Sequence, residues 1–103
     1  MLGRRHEKHP GAIPLDGSEV AGKDYSELAR LWVSDERAVA LVSTAVKSPA
    51  LFGSLLVECV ETAADAYAQL SQTPRHQVLA ELWTGFDDER LRVNANVREG
   101  NVS

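Results

Sequence analysis

The sequence of 103 residues contains one cysteine, Cys59, and no long hydrophobic run. A single thiol excludes an internal disulfide and a zinc site built from several cysteines. The longest nearly apolar stretch is residues 51–57, whereas a membrane-spanning helix needs about 20 apolar residues. Arg4 and Arg5 resemble the start of a signal peptide, but no apolar segment follows them. We therefore expect a cytoplasmic protein without a membrane anchor, since an unpaired thiol suits a reducing compartment.

An excess of positive charge is also missing. The chain has 11 lysine and arginine residues against 15 aspartate and glutamate residues, so its formal net charge is −4. Proteins that bind nucleic acid need a basic stripe that displaces counterions from the phosphates. The composition therefore predicts no nucleic-acid partner.

Aromatic residues make up only 6% of the chain, and all of them lie between residues 25 and 92. Aromatic side chains favour core formation, whereas glycine, which is frequent outside that span, raises the entropy cost of ordering. We expect a largely disordered tail over residues 1–24, a single α+β domain over 25–92 and a short polar tail over 93–103. The apolar residues 12–15 predict an extended strap across the domain, because Pro14 favours an extended backbone before it.

Two short apolar runs, residues 27–33 and 38–46, flank the turn residues 34–37 and predict a β-hairpin. A two-residue loop of Asp35 and Glu36 places Val33 opposite Ala38. One face then carries only apolar residues: Ala29, Leu31, Val33, Ala38, Ala40 and Val42. The other face carries Leu28, Arg30, Trp32, Val39, Leu41 and Ser43. Both faces are mainly apolar, so both need cover. A helical alternative places Asp35 inside the apolar stripe, which disfavours it.

Ser48-Pro49 and Thr73-Pro74 are typical helix starts, with a hydroxyl as N-cap and proline at the first position. They predict one helix over residues 49–71 and a second from Pro74 to about Leu91. An apolar seam at helical spacing marks the first helix: Phe52, Leu56, Cys59, Ala63, Ala66 and Leu70. The apolar face of the second contains Val78, Leu79, Leu82, Trp83 and Phe86. The short linker predicts antiparallel packing.

Two motifs near the N-terminus resemble ligand sites. Residues 17–23 fit the phosphate-loop pattern G-x-x-x-x-G-K, but Asp24 stands where a magnesium-binding hydroxyl belongs, and no buried strand precedes the loop. We interpret this segment as a flexible linker. His6 and His9 precede Pro10 and lack a helical context, so we expect adventitious metal binding at most.

The candidate reactive groups of the first helix also have simpler interpretations. Cys59 lies on the apolar seam, so we expect it to pack in the core rather than to act as a nucleophile. Glu58, Glu61 and Asp65 lie opposite the seam and predict a solvated acidic face, because no histidine completes a carboxylate metal site. The sequence predicts no catalytic residue, no metal and no cofactor.

Trp32 and Arg30 are the residue types most enriched at interface hot spots. Together with Leu28, Val39 and Leu41 they form the predicted interface. The alternative is that Trp32 is ordinary core, with Arg30 extending over it to solvent.

A second candidate site is a pocket between hairpin and helices, lined by Tyr67, His76 and Trp83. Such a pocket is typical of a small-molecule-binding domain or an enzyme.

Three segments carry a family resemblance. They are Leu31-Trp32-Val33-Ser34-Asp35, Ala63-Ala64-Asp65-Ala66-Tyr67 and Gly85-Phe86-Asp87-Asp88-Glu89. Over roughly residues 12–90 the chain resembles a bacterial family of unknown function, whose members have about 100 residues, the size of one domain. The resemblance implies a small α+β fold and a bacterial cytoplasmic protein, and it carries over no catalytic residue.

The short folded region predicts association. A domain as short as residues 25–92 buries roughly 60% of its unfolded surface and is marginally stable alone. Without a disulfide or a metal, association is the remaining source of stability. We therefore expect a non-catalytic homodimer, in which two hairpins form a four-stranded sheet covered by helices. Two alternatives remain: the small-molecule-binding domain or enzyme, and an adaptor whose N-terminal tail binds another, acidic protein.

Overall fold

The structure is a computed structural model of the chain, and it describes residues 9–22 and 24–100. After a 3₁₀ turn at Glu19–Ala21, the chain forms strands β1 (Ala29–Val33) and β2 (Ala38–Val42), and helices α1 (Pro49–Ser71) and α2 (Arg75–Gly100). Two strands followed by two helices confirm the predicted α+β class. The chain divides into two compact units, residues 1–45 and 46–103, and each is described by itself.

The hairpin has the predicted register: β1 and β2 pair antiparallel, with Val33 opposite Ala38. One serine closes its turn. The Ser34 backbone N–H donates to the Arg37 carbonyl oxygen at 2.9 Å. The Ser34 Oγ accepts from the backbone N–H of Glu36 at 3.2 Å and from that of Arg37 at 3.4 Å. These bonds fix a two-residue loop, and the loop length sets which strand residues face each other.

Both ends of α1 have identifiable causes. At the start, the Ser48 Oγ accepts a hydrogen bond from the backbone N–H of Leu51 at 3.1 Å, and Pro49 is the first helical residue. This confirms the predicted cap. At the end, Gln72 adopts the left-handed conformation, with φ 55° and ψ 40°. A left-handed residue at this position is a common way to stop a helix, and α2 then begins at Arg75.

α2 differs from its prediction at both ends. The Pro74 carbonyl oxygen accepts from the backbone N–H of Gln77 at 3.0 Å and from that of Val78 at 3.2 Å, so Pro74 precedes the helix. At the other end, α2 continues to Gly100. The residues beyond Leu91 are mostly polar, which indicated a tail. They include no proline, however, and polar residues such as arginine and glutamate have high helix propensity.

The two helices pack around a small residue. Among the residues that the structure describes, only Ala64 (0% exposed) and Val78 are buried. Leu79, Leu82 and Trp83 on the predicted face of α2 are half-buried. On α1, the half-buried residues Val60 and Ala68 lie one turn before and after Ala64. This side of α1, rather than the apolar seam, therefore contacts α2.

The seam prediction was wrong about the core. Four of its six residues, Leu56, Cys59, Ala66 and Leu70, are exposed, whereas Phe52 and Ala63 are half-buried. The apolar surface of α1 is wider than one helix can cover, and α2 packs where alanine permits the closest approach. Cys59 is therefore an exposed thiol and not a core residue.

Arg75 joins the two helices through three hydrogen bonds. Its Nε donates to Asp65 Oδ1 at 2.5 Å, and its Nη2 donates to Glu61 Oε1 at 2.7 Å and to the Glu61 carbonyl oxygen at 3.1 Å. The hydrogen bonds that Arg75 donates to Glu61, and then to Asp65, hold its pKa above the ordinary value. The predicted acidic face is therefore only partly free, because two of its three carboxylates bind this arginine.

We expect Ala64→Leu to destabilise the helical unit. A buried methyl-sized site has no room for a larger side chain, and such overpacking costs about 1–3 kcal/mol. Ala66→Leu, two residues away on the exposed side of the same helix, is the matched control and should change stability by less than about 0.5 kcal/mol. Urea denaturation followed by circular dichroism measures both. Equal effects of the two substitutions would contradict the packing described.

We also expect Arg75→Ala to lower the melting temperature more than Arg90→Ala. Arg75 bridges two helices, whereas Arg90 donates to Asp87 within α2, at 3.4 Å. The ion pairs of Arg75 are partly exposed, so salt should weaken them. Thermal melts at about 0.01 M and 1 M salt should show a smaller difference between the two variants at high salt. Indistinguishable melts at low salt would show that Arg75 does not stabilise the helix pair.

Candidate functional site

The five predicted interface residues lie on one face of the hairpin, here called the tryptophan face. Strand alternation and the observed register place them together: Leu28, Arg30, Trp32, Val39 and Leu41. Leu28 and Trp32 are half-buried and the other three are exposed. The structure thus groups the set as predicted.

His9 packs on this face. Its ring lies against Trp32 with centroids 4.8 Å apart and a tilt of 58°. A turn positions the ring, since the Gly11 backbone N–H donates to His9 Nδ1 at 3.0 Å and the Ala12 N–H donates to the His9 carbonyl oxygen at 2.9 Å. Because Nδ1 accepts, the neutral ring carries its proton on Nε2. Sequence reasoning missed this contact, although Pro10-Gly11 is a turn signal.

Arg30 is held by a neighbouring carboxylate. Its Nε donates to Glu27 Oε2 at 2.7 Å, and this hydrogen bond raises the pKa of Arg30 above its ordinary value. The pair lies beside β1 and is exposed at both side chains. The arginine is therefore already partnered within its own chain.

The opposite face of the hairpin, here called the apolar face, has no polar residue. Its members are those that the register places opposite the tryptophan face: Ala29, Leu31, Val33, Ala38, Ala40 and Val42. All six are exposed, with Leu31 at 78% and Val33 at 82%. A two-stranded hairpin is marginally stable in water, and a contiguous exposed apolar surface marks an interaction site. The apolar face is therefore the strongest candidate surface on the hairpin.

The strand edges carry free backbone groups. The Ser43 N–H donates to the Leu28 carbonyl oxygen at 2.9 Å, and the Ser34 N–H donates to the Arg37 carbonyl oxygen at the turn. Leu28 and Ser34 are separated by an even number of residues, so both hydrogen-bonded pairs belong to the same alternating set. Hydrogen-bonded and non-hydrogen-bonded pairs alternate in an antiparallel ladder. The residues of the apolar face are therefore the non-hydrogen-bonded ones, and their N–H and C=O groups point outward. Since the sheet formed by the described residues has two strands, both edges are open there.

The predicted pocket residues lie on both helices of the helical unit, Tyr67 on α1 and His76 and Trp83 on α2. Tyr67 and His76 are exposed, and Trp83 is half-buried. The aromatic neighbour of Trp83 is Phe86, with ring centroids 5.5 Å apart in an edge-to-face arrangement. Whether a ligand binds near these residues stays a prediction.

The N-terminal motifs show ordinary backbone structure where it is described. Gly17 has φ +82°, which suits a turn glycine, and the 3₁₀ turn follows it. The Tyr25 hydroxyl donates to Glu19 Oε2 at 2.5 Å, a bond that raises the pKa of Tyr25. Lys23 and His6 lie outside the described residues. Ile13, in the predicted strap, is 86% exposed.

No group of three or more histidine, cysteine, aspartate or glutamate side chains gathers in the described part of the chain. Neither α1 nor the described length of α2 has an apolar stretch that would cross a bilayer.

We expect the His9 contact to control the environment of Trp32. In a Trp83→Phe background Trp32 is the only tryptophan, and His9→Ala should shift its emission to longer wavelength as the ring becomes solvated. Loss of an aromatic pair should also cost about 0.5–1.5 kcal/mol of hairpin stability. The control is His9→Ala with Trp32→Phe, in which the emission of Trp83 should stay unchanged. An unchanged Trp32 spectrum would show that the two rings are not in contact.

Comparison with known proteins shows the fold and the family. The chain is similar to a solved structure from the photosynthetic bacterium Rhodopseudomonas palustrus CGA009, named a "putative pyruvate dehydrogenase". The two share 26% sequence identity and a TM-score of 0.60, over 82% of this chain and 86% of that chain. A search of curated proteins gives no match. The model of the family described as "Domain of unknown function (DUF5076)" matches residues 18–92. This match confirms the resemblance to a family of unknown function, and the chain belongs to the DUF5076 family.

Proposed function

We propose that this DUF5076 protein is a non-catalytic homodimeric interaction module that uses its hairpin as the dimer surface. The observation that carries the proposal is the apolar face, on which six of six side chains are apolar and exposed. Burial of apolar surface is the main favourable term in association, at about 25 cal/mol per Å². A surface of this kind is costly to leave in water.

A second copy of the chain is the partner that fits this surface. The apolar face carries no charge that would select a partner of opposite sign. In a twofold dimer the same surface serves both subunits, so an uncharged strand edge meets an equally uncharged one. Free strand edges on the hairpin add main-chain hydrogen bonds to the same contact. Pairing of the hairpins at an edge therefore brings apolar side chains of the two copies side by side and gives the free backbone groups partners.

The need for added stability supports the same partner. Only Ala64 and Val78 are buried among the described residues, and a core of that size gives little stability. The chain has no disulfide, because it has one cysteine. Oligomerisation is one of the few remaining ways to stabilise so small a fold. The exposed free thiol of Cys59 fits a reducing cytoplasm as the site of action.

The tryptophan face is the less favoured of the two hairpin faces for this contact. His9 already packs on Trp32, and Arg30 is paired with Glu27. A partner on that side would need to displace or accommodate these groups.

Light scattering coupled to size-exclusion chromatography tests the proposal. At tens of micromolar the wild-type chain should have twice its monomer mass of 11.2 kDa. Val42→Glu places a charge on the apolar face within β2 and should raise the dimer dissociation constant at least about tenfold, equivalent to about 1.4 kcal/mol. A strict wild-type monomer would overturn the proposal.

Leu70→Glu is the matched control. Leu70 is an exposed apolar residue, as Val42 is, at 80% against 56%, but it lies on α1 instead of the hairpin. The same substitution at this position should leave the dimer intact. Dissociation by Leu70→Glu alone would place the dimer surface on the apolar seam and would contradict a hairpin dimer.

A further inference from the structure

We propose that the dimer forms by antiparallel pairing of β2 with β2 of the second copy, with the twofold axis at Ala40. This inference rests on the proposed function and specifies its contact. The strand order of the combined sheet is β1, β2, the partner's β2 and the partner's β1. Three arguments select this arrangement: backbone hydrogen bonding, charge, and the identity of the side chains.

The backbone groups of β2 match this register. The β2 residues whose backbone N–H and C=O groups point outward are Ala38, Ala40 and Val42, because they belong to the non-hydrogen-bonded pairs of the hairpin. With Ala40 opposite the partner's Ala40, Ala38 lies opposite the partner's Val42, and Val42 opposite the partner's Ala38. Every outward N–H and C=O of β2 then has a partner. A shift by one residue would leave these groups facing the inward-pointing residues of the other copy.

Charge distinguishes β2 from β1. β2 contains only alanine, valine and leucine, and all five residues are exposed. β1 contains Arg30, which forms an ion pair with Glu27 beside the strand. Natural proteins protect strand edges against pairing with charged side chains, and β1 carries that protection. The edge of β2 has none, so β2 is the edge suited to pairing.

The side chains make the pairing self-complementary. Paired residues in an antiparallel ladder share a face, so the apolar face of one copy continues into that of the other. Ala38 and Ala40 are small and permit close approach at the axis, while Val39 lies opposite the partner's Leu41 on the other side. A one-residue slip would instead place members of the tryptophan face beside members of the apolar face.

Disulfide trapping in the full chain tests the edge. With Cys59→Ser as background, Ala40→Cys places a thiol at the axis. Hydrogen-bonded antiparallel pairs have Cα atoms about 5.5 Å apart, within the range of about 4.4–6.8 Å that a disulfide requires. Most of the Ala40→Cys protein should therefore run as a covalent dimer on a non-reducing gel after mild oxidation.

Leu31→Cys in the same background is the matched control. Leu31 pairs with Ala40 within the hairpin and occupies the same position on β1. In the proposed sheet the two copies of Leu31 are three strand spacings apart, about 14 Å, so they cannot form a disulfide. Leu31→Cys should stay monomeric on the gel under conditions that trap Ala40→Cys.

A mixing experiment tests the register without a substitution at the axis. Ala38→Cys and Val42→Cys proteins, mixed under reducing conditions and then oxidised, should form a disulfide that each protein alone does not form. Two copies of Ala38 lie about four residues apart along the strands, about 14 Å. Crosslinking only in the mixture is therefore specific to the proposed pairing.

The outcomes separate the contact from the proposed function. Trapping of Ala40→Cys alone, with crosslinking in the mixture, supports the β2 contact. The β2 contact is overturned if Leu31→Cys is trapped and Ala40→Cys is not, or if both are trapped to the same extent. A dimer by light scattering without any trapping also overturns the β2 contact but leaves the homodimer standing. A monomer by light scattering overturns both.

Discussion

The arrangement of the hairpin depends on the hydrogen bonds that Ser34 makes across its turn. The Ser34 backbone N–H and Oγ bind the Arg37 carbonyl oxygen and the N–H groups of Glu36 and Arg37, which limits the loop to two residues. That loop length fixes which cross-strand pairs are hydrogen-bonded. The alternation of the pairs then decides both which side chains share a face and which backbone groups point outward. One turn therefore gives the hairpin an uncharged face and open edges on the same residues.

The helical unit depends on a different constraint, the closeness of approach at Ala64. Small residues let helices approach closely, and polar groups at the margin of the contact then come within reach of one another. Arg75 uses this closeness, because its guanidinium binds two carboxylates and a carbonyl oxygen on α1. Most of the apolar seam, including Leu70, stays exposed. Packing density rather than the amount of apolar surface decides which side of α1 is used.

Local chemistry made much of the fold predictable from the sequence. The hairpin register follows from turn residues and alternation, and the start of α1 follows from Ser48 and Pro49, because these signals act over a few residues. The end of α2 and the packing side of α1 were missed. Polarity alone does not distinguish a tail from an exposed helix, and helical periodicity does not show which part of a wide apolar face a neighbour will cover. The contact of His9 with Trp32 was missed because it joins residues far apart in sequence.

The candidate surface shows the same division between local and non-local information. Alternation predicted two faces, and residue type directed attention to the one with Trp32 and Arg30, since those residues are common at hot spots. The structure shows that both side chains have neighbours within the chain, whereas Leu31 and Val33 on the other face are among the most exposed apolar residues. The type of a residue indicates a binding surface only where its side chain has no neighbour within the chain. Such neighbours depend on contacts that residue type does not reveal. For a chain whose described core is two side chains, folding and association draw on the same apolar surface. The stability of such a fold then depends on protein concentration, because a partner that binds only the folded state shifts the folding equilibrium.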